Sequence, residues 1–179
     1  MVSSIIYKRS INDIRKKDIS IDLPSEFKIV FWKPSLTNFI PESYPTKYFI
    51  YWFFHFLRIF KNRNYSAILI YHKGKVVSCI LAIPAYFKWP FMGKNDVQIA
   101  YVITDTEYRG QGLAAVAIEN AFKELSSTAV KDVWYVTSFD NKSSQRLCTK
   151  LGFLPAGTGS RKYFLKFFHV LQLKENKTD

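Results

Sequence analysis

The segment Arg109-Gly110-Gln111-Gly112 has the residue types of an anion-binding turn. It follows an apolar strand and directly precedes a run with helical periodicity, so it stands at the start of a helix. The first turn of a helix leaves about four backbone N–H groups without intrahelical partners, and with the helix dipole these groups attract phosphate. Glycine removes the Cβ atoms that would keep a phosphate away, and Arg109 adds a planar cationic donor. The alternative is an ordinary glycine-containing turn, because short glycine motifs are weakly specific.

A second polar segment, NKSSQRLCTKLGF, runs from Asn141 to Phe153. Asn141, Ser144 and Cys148 are three and four residues apart, so a helix would place them on one face. Asn141 also suits the N-cap, and Gly152 is typical of the residue that ends a helix. The segment is therefore predicted to be a short helix that presents small and polar side chains along one side.

Together the two segments resemble the acyl-CoA-binding motifs of the GNAT superfamily of acyl-CoA-dependent N-acyltransferases. The run Arg109–Ala114 matches the Arg/Gln-x-x-Gly-x-Gly/Ala pyrophosphate loop of that superfamily at its three defining positions. The pattern Asn-x-x-Ser-x-x-Leu-x-x-Lys-x-Gly-Phe, which begins at Asn141, is similar to its second motif. The resemblance covers residues 98–154. The region before residue 65 shows no such match, which is usual for the acceptor-binding part of this superfamily.

The resemblance implies acetyl-CoA as the cofactor, CoA as the product, and direct attack of a neutral amine on the acetyl carbonyl. Backbone groups of residues 102–104 would pair with the pantetheine arm as an added strand. The amides of residues 109–114 would hold the pyrophosphate, and two side chains of the second motif would contact the far side. The expected cofactor-binding residues are Val102, Ile103, Thr104, Arg109, Gly110, Gln111, Gly112, Leu113, Ala114, Asn141 and Ser144.

Cys148 and Tyr101 are the candidates for catalytic side chains. Many relatives carry Tyr as the acid for the departing thiolate where this chain has Cys148. A thiol, with a pKa near 8.5, could donate that proton, but simple packing beside the cofactor is an equal alternative, and water could serve instead. Several relatives keep a Glu as the general base in the strand that corresponds to Val97–Thr104, but this strand contains no Glu. The nearby candidates for the base are therefore Tyr101, Asp96 and Asp105. No metal site is predicted, because two Cys cannot form a four-ligand zinc site.

Periodicity predicts the elements that must position these groups. The predicted strands are Phe27–Lys33, Tyr65–Tyr71, Lys75–Ile83, Val97–Thr104 and Val133–Ser138, and from Phe153 onward a strand, a turn at Gly157–Ser160 and a last strand. The predicted helices are Lys47–Asn62, Leu113–Ser126 and Asn141–Leu151. This order indicates an α/β fold. The resemblance implies a single GNAT-like domain over residues 1–179, whose mixed, mostly antiparallel twisted sheet is flanked by helices and splayed between the fourth and fifth of these strands. Residues 1–64 would form the acceptor side and residues 97–154 the acyl-CoA-binding core.

Composition limits the class of protein further. The chain has 179 residues, a net charge of +12, and two Cys, which excludes a disordered chain and a disulfide framework. The N-terminus lacks the apolar region of a secretory signal, and the most apolar window, Tyr48–Phe60, is shorter than the ~20 residues of a membrane span. A cytoplasmic protein fits these features best, and the sequence leaves both a monomer and a homodimer open.

The acceptor is predicted to be a small molecule. The aromatic segments Tyr48–Phe60 and Pro84–Gly93 suit a sugar or nucleobase face, and the basic balance suits phosphates. The chain also resembles acetyltransferases that modify amino sugars for bacterial surface polysaccharides, with a nucleotide-linked sugar as acceptor, although a hydroxyl acceptor is also open. Two other functions compete: a non-catalytic basic module that binds an anionic membrane or, less favoured, nucleic acid, and a catalytically silent acyl-CoA sensor.

Overall fold

A computed structural model describes residues 4–15, 23–39, 41, 49–164 and 168–175. Within these residues the chain forms eight strands and four α-helices. The strands are β1 (Ser4–Ser10), β2 (Phe27–Trp32), β3 (Ser66–His72), β4 (Lys75–Pro84), β5 (Val97–Thr104), β6 (Asp132–Ser138), β7 (Leu154–Phe164) and β8 (Phe168–Glu175). The helices are α1 (Ile11–Arg15), α2 (Ile50–Phe56), α3 (Leu113–Ser126) and α4 (Lys142–Lys150).

The strands form one mixed sheet in the order β2-β3-β4-β5-β6-β1-β7-β8. Every neighbouring pair is antiparallel except β5 and β6, which are parallel and are joined through α3. Two neighbouring parallel strands require such a crossover, which here places β6 beside β5. The fold is thus the predicted mixed α/β sheet flanked by helices.

Each face of the sheet has its own apolar core. One face is covered by α1, α3 and α4, where the helically spaced apolar side chains of α3 are buried against the strands. The other face is covered by α2 and by the aromatic segment between Pro84 and Gly93, of which Tyr86, Trp89 and Met92 are buried. We call these the α3 face and the α2 face.

The β3–β4 hairpin and the elements from β5 to α4 form as their sequences predict. Lys73 and Gly74 both have positive φ, 49° and 77°, as the tight two-residue hairpin turn requires. Asn141 caps α4, and Gly152, with φ 71°, follows its last turn. No helix within the described ranges has the length and apolar character that crossing a membrane demands.

The predicted helix over Lys47–Asn62 is shorter in the structure. Arg58 takes a left-handed φ of 57°, and the amide of Ile59 bonds back to the Phe54 carbonyl at 2.9 Å, so α2 ends at Phe56. Periodicity overestimated this helix because apolar side chains continue past its last turn into the loop. Lys47 and Tyr48 lie outside the described residues.

Two features of the sheet depart from the sequence prediction. β1, which was not predicted, is an interior strand between β6 and β7. Its polar side chains hide the strand pattern: Lys8 pairs with Asp132 at 2.9 Å, and the Arg9 guanidinium lies over the ring of Phe122. The predicted turn at Gly157–Ser160 is wrong, since β7 continues through it and Gly157 instead lets the Lys174 backbone approach closely.

Candidate active site

The site begins where β5 and β6 separate. The two strands pair only from Val97 to Ile99 on β5 and from Val133 to Tyr135 on β6. Beyond these residues the ladder stops, so backbone groups of β5 from Ala100 onward face a gap instead of β6. The predicted splay between these two strands is confirmed, and it leaves β5 able to pair with an extended ligand.

A bulge in β5 lies at the start of this gap. The register between β4 and β5 shifts between Cys79 and Leu81, and Tyr101 on the facing stretch has φ 51°. A left-handed backbone is costly for a bulky residue, so the surrounding contacts must hold it there. The bulge turns Ala100 and Tyr101 toward the α2 face, while Val102 packs on the α3 face. Consecutive residues of β5, Tyr101 and Val102, therefore contact the two opposite faces of the sheet.

The loop after β5 leads directly into the start of α3. Gly110 and Gly112 have φ of 82° and 80°, which favour glycine, and a Cβ at either position would project into open space. Gly112 is the N-cap of α3 and supplies no side chain to cap it. Its carbonyl accepts from the amides of Ala115 and Val116, so the preceding amides are those of a helix start, and among the described residues they have no intrahelical partner. This geometry is that of an anion cradle.

The loop is anchored to the β3–β4 hairpin by polar contacts. The Lys75 ammonium lies 2.7 Å from the Asp105 carboxylate, and this hydrogen bond lowers the pKa of Asp105. The hydroxyl of Tyr108 lies 2.9 Å from Nδ1 of His72. Arg109 donates from Nε to the Thr104 carbonyl at 3.3 Å. Asp105, a candidate base by sequence, is thus engaged in holding the loop.

The N-terminal turn of α4 faces the same loop. Asn141 caps this helix, since its Oδ1 accepts from the Ser144 amide at 3.1 Å and from the Ser143 hydroxyl at 2.9 Å. The hydroxyl of Tyr135, from β6, donates to the Ser144 hydroxyl at 3.4 Å. Burial raises the pKa of Tyr135 to about 12, so this phenol keeps its proton at neutral pH.

Together these elements enclose an open cleft of about 660 Å³ on the α3 face. The cleft brings together all of the predicted cofactor-binding residues except Gln111, which lines a smaller neighbouring cavity. Five further lining residues were not among the predicted ones. Leu147 and Lys150 continue the three-residue spacing of Asn141 and Ser144, so that spacing could have identified these two. The five are Tyr108, Ala115, Ser143, Leu147 and Lys150.

A second cavity, of about 220 Å³, lies across the sheet on the α2 face. Within it Gln98 is 5% exposed, and its Oε1 accepts no hydrogen bond from the part of the chain that the structure describes. A buried acceptor without a donor is costly, which marks this atom as a place for a ligand's N–H or O–H group. The cavity is lined by Ser4, Lys88, Trp89, Gln98, Ala100, Tyr101, Val136 and Leu171.

Tyr101 joins this cavity to a cluster of buried tyrosines. Its hydroxyl lies 2.8 Å from that of Tyr51 on α2. Burial raises the pKa values of Tyr51, Tyr65 and Tyr86 above the ordinary value of a phenol. These phenols are therefore neutral at physiological pH and act as hydrogen-bond donors and acceptors, not as anions.

Two other side chains that the sequence analysis named as candidates for the acid and the base, Cys148 and Asp96, line neither of the two cavities. Cys148 is fully buried in the core of the α3 face and does not line the cleft, and burial raises the pKa of its thiol to about 12. Asp96 is also buried, and its Oδ2 accepts from the Gly93 amide and from Nε1 of Trp134, each at 2.8 Å. Its carboxylate thus joins the loop between β4 and β5 to β6.

Comparisons with known proteins agree with this geometry. The chain is 24% identical over 141 residues to an N-alpha-acetyltransferase MAK3 of Arabidopsis thaliana, covering 79% of this chain and 70% of that protein. Its fold is similar to a GCN5-related N-acetyltransferase from Sphaerobacter thermophilus (TM-score 0.61, 16% identity, 97% of this chain and 52% of that one). It is equally similar to a tandem GNAT protein from the clavulanic acid biosynthesis pathway (TM-score 0.61, 14% identity, 87% and 50%).

The chain therefore spans about half the length of these two structures, whereas it covers 95% of an acetyltransferase of the GNAT family from Streptococcus pneumoniae (TM-score 0.51, 13% identity, 80% of this chain). The model of the acetyltransferase (GNAT) family matches residues 30–153, which include β5, the glycine loop, α3 and α4. Because this match covers more than half of the chain, the protein belongs to the acetyltransferase (GNAT) family.

Proposed function

We propose that this protein transfers the acetyl group of acetyl-CoA to a primary amine that enters from the α2 face of the sheet. The observation that carries the proposal is the meeting of two cavities at the bulge of β5. Val102 lines the cleft on the α3 face, and its neighbours Ala100 and Tyr101 line the cavity on the α2 face. A donor and an acceptor bound on opposite faces would meet there, where the strands are apart.

The cleft has the donors that acetyl-CoA requires. Unpaired amides at the uncapped start of α3, with open space above Gly110 and Gly112, suit a pyrophosphate, and Arg109 and Lys150 add positive charge. The free edge of β5 from Val102 to Thr104 suits the amide groups of pantetheine. When bound, acetyl-CoA supplies a thioester-activated acetyl group. Asn141 and Ser144 would contact the cofactor from α4 across the cleft.

The second cavity favours an amine that is already neutral. Among the described residues its lining includes Lys88 but no carboxylate, so burial and this cation both lower the pKa of a bound amine. Oε1 of Gln98 would accept one N–H, and the hydroxyl of Tyr101 would orient the nitrogen, which leaves the lone pair free for the acyl carbon. We therefore assign positioning to Tyr101, and the chain needs only a weak base, such as water, to take the proton after attack.

Proton return to the leaving sulfur is assigned to Tyr135 through Ser144. Ser144 lines the cleft, and its hydroxyl oxygen accepts a hydrogen bond from the Tyr135 hydroxyl. Tyr135 can therefore pass a proton to Ser144 while Ser144 passes its own proton to the sulfur. Cys148, the sequence candidate for this step, lies behind the lining of the cleft. We propose that it packs the core, which was the competing interpretation of a small buried thiol.

The acceptor that we propose is an amino sugar linked to a nucleotide. The cavity of 220 Å³, which is lined in part by the aromatic Trp89 and the basic Lys88, has room for the end of the acceptor that carries the amine but not for the whole acceptor, the rest of which would lie outside it. The N-terminal α-amine of a peptide is the second candidate, because the curated relative from Arabidopsis is named as an N-alpha-acetyltransferase. We place the reaction in the cytoplasm, where reducing conditions preserve free thiols such as Cys79 and Cys148.

One assay separates the proposal from its competitors. Purified protein is mixed with acetyl-CoA and with nucleotide-linked amino sugars, free amino sugars or short peptides with a free N-terminus, and both thiol release and acetylated product are measured. Saturable thiol release that requires one amine class supports the proposal and identifies the acceptor. Binding of acetyl-CoA without transfer to any of these amines would contradict it and favour a silent acyl-CoA sensor.

A further inference from the structure

Large apolar side chains are exposed around α2, on the face opposite the cofactor cleft. Leu36 and Leu57 are 71% and 67% exposed, and Phe39, Ile50 and Phe53 are all more than two-fifths exposed. Exposed apolar residues are common singly, but a contiguous group on a small domain marks an interaction surface.

This group is contiguous because α2 is fastened to the loop after β2. Nε1 of Trp52 donates to the Ser35 carbonyl at 2.9 Å, and the rings of Phe39 and Trp52 pack edge to face at 5.0 Å. On the next turn, Phe53 packs against the ring of Phe49 at 4.9 Å. We call the exposed group the α2 patch. It consists of Leu36, Phe39, Ile50, Phe53 and Leu57.

The chain around the α2 patch is strongly basic. From Phe49 to Tyr65 the sequence contains three Lys and Arg and no Asp or Glu. Arg58 directly follows Leu57 and is exposed, and Arg63 donates to the His55 carbonyl at 2.8 Å, which holds its guanidinium at the C-terminal end of α2. Apolar and cationic groups are thus adjacent at the same end of the helix.

We propose that the α2 patch docks on an anionic phospholipid surface. Aromatic and aliphatic side chains flanked by Lys and Arg are typical of segments that lie in the membrane interface, where the apolar groups enter the acyl boundary and the cations remain among the headgroups. A nucleic acid would use the charge and the aromatic rings but would leave the aliphatic Leu36, Ile50 and Leu57 without a partner. The docking does not depend on acetyl transfer.

The docking would place the acceptor cavity on the membrane side of the protein. The cavity and α2 lie on the same face of the sheet, and the hydrogen bond between the Tyr51 and Tyr101 hydroxyls joins them. The cofactor cleft lies on the opposite face, lined by the starts of α3 and α4, and would remain toward the solvent.

The test is flotation of the full chain with vesicles of phosphatidylcholine alone and of phosphatidylcholine mixed with phosphatidylglycerol, at low and at physiological ionic strength. We expect binding to the anionic vesicles only, weakening with salt. Arg58→Asn, which suits the left-handed backbone at that position, should weaken binding about fivefold. The double variant Phe53→Ser/Leu57→Ser should weaken it at least tenfold.

Matched controls lie elsewhere on the surface. Leu154→Ser on β7 removes an equally exposed leucine, and Lys123→Gln removes an exposed cation from α3, so both should bind as the wild type does. Unchanged thermal midpoints show that the variants fold. If the double variant does not fold, the single variant Leu57→Ser replaces it. Absence of binding to anionic vesicles at low salt, or equal binding by the patch variants and the wild type, would overturn the proposal.

Discussion

The hydroxyl groups of Tyr51 and Tyr101 lie 2.8 Å apart and connect α2 to the bulge where the sheet splays. Tyr101 has a φ of 51°, which is strained for a residue with a bulky side chain. Tyr51 is 5% exposed and packs against the rings of Phe54 and Phe60, so its position is well fixed. The hydrogen bond therefore holds Tyr101 in place at the point where the two cavities meet.

Removing either hydroxyl should loosen this point. We expect Tyr51→Phe and Tyr101→Phe each to lower the free energy of unfolding by about 1–2 kcal/mol, because each leaves its partner with one hydrogen bond fewer. The double variant should cost less than the sum, with a coupling energy of about 1 kcal/mol by denaturant unfolding. Strict additivity would show that the hydroxyls do not interact.

Gly112→Ala should weaken acetyl-CoA binding by at least tenfold. An alanine at φ 80° is strained, and relief of that strain would turn the first amides of α3 away from the anion that they cradle. Gly74→Ala is the matched control, because Gly74 has φ 77° and open space around a Cβ but lies in the β3–β4 turn. Calorimetric titration should show normal affinity for the control, whereas equal losses in the two variants would point to general destabilisation.

Gln98→Leu should separate stability from function. The variant removes a buried acceptor that lacks a donor, so the free energy of unfolding should stay level or rise by about 1 kcal/mol. The KM for the amine should rise at least tenfold while the affinity for acetyl-CoA is unchanged. Steady-state kinetics with the acceptor found by the thiol-release assay measures both constants.

Gln98→Glu tests the charge state of the amine at the same position. A carboxylate there favours the ammonium form and so raises the pKa of the bound amine. The pH profile of kcat, which reports groups in the enzyme–substrate complex, should therefore move to higher pH, since less of the bound amine is neutral at any given pH. A profile that stays in place would exclude contact between this side chain and the reacting nitrogen.

Tyr135→Phe and Cys148→Ala compare the two candidates for the proton donor. If Tyr135 acts through Ser144, its loss should reduce kcat by about 100-fold and leave acetyl-CoA affinity unchanged. Cys148→Ala should reduce stability by about 1 kcal/mol through lost packing but keep kcat within about twofold. The reverse pattern would return the role of acid to the thiol.

The parts of the fold that sequence predicts well are those whose pattern is local. Runs of β-branched and aromatic side chains identify β3 to β5, and apolar spacing identifies α3, whose start then places the glycine loop. β1 was missed because its charged side chains have partners far away in the sequence, such as Asp132 for Lys8 and the Phe122 ring for Arg9. That information is not contained in the segment itself.

The same distinction applies to the site. The cofactor-side residues belong to two contiguous motifs, so their assembly in one cleft follows from the order of strand, loop and helix. Gln98 lies in an otherwise apolar strand, and only the tertiary structure shows that no donor in the described part of the chain reaches its Oε1. The contact between Tyr135 and Ser144 likewise joins a strand to a helix that periodicity treats separately.

The central claim is that the cleft on the α3 face binds acetyl-CoA, and a thermal-shift titration tests it most directly. At a hundred times the dissociation constant, acetyl-CoA should add about 2.7 kcal/mol of stability, which for a chain of this size raises the midpoint by roughly 5–10 °C. The rise should be saturable, absent with a short RNA at the same ionic strength, and greatly reduced in Gly112→Ala. No rise with acetyl-CoA or with longer acyl-CoAs would contradict the account and leave the cleft without its proposed ligand.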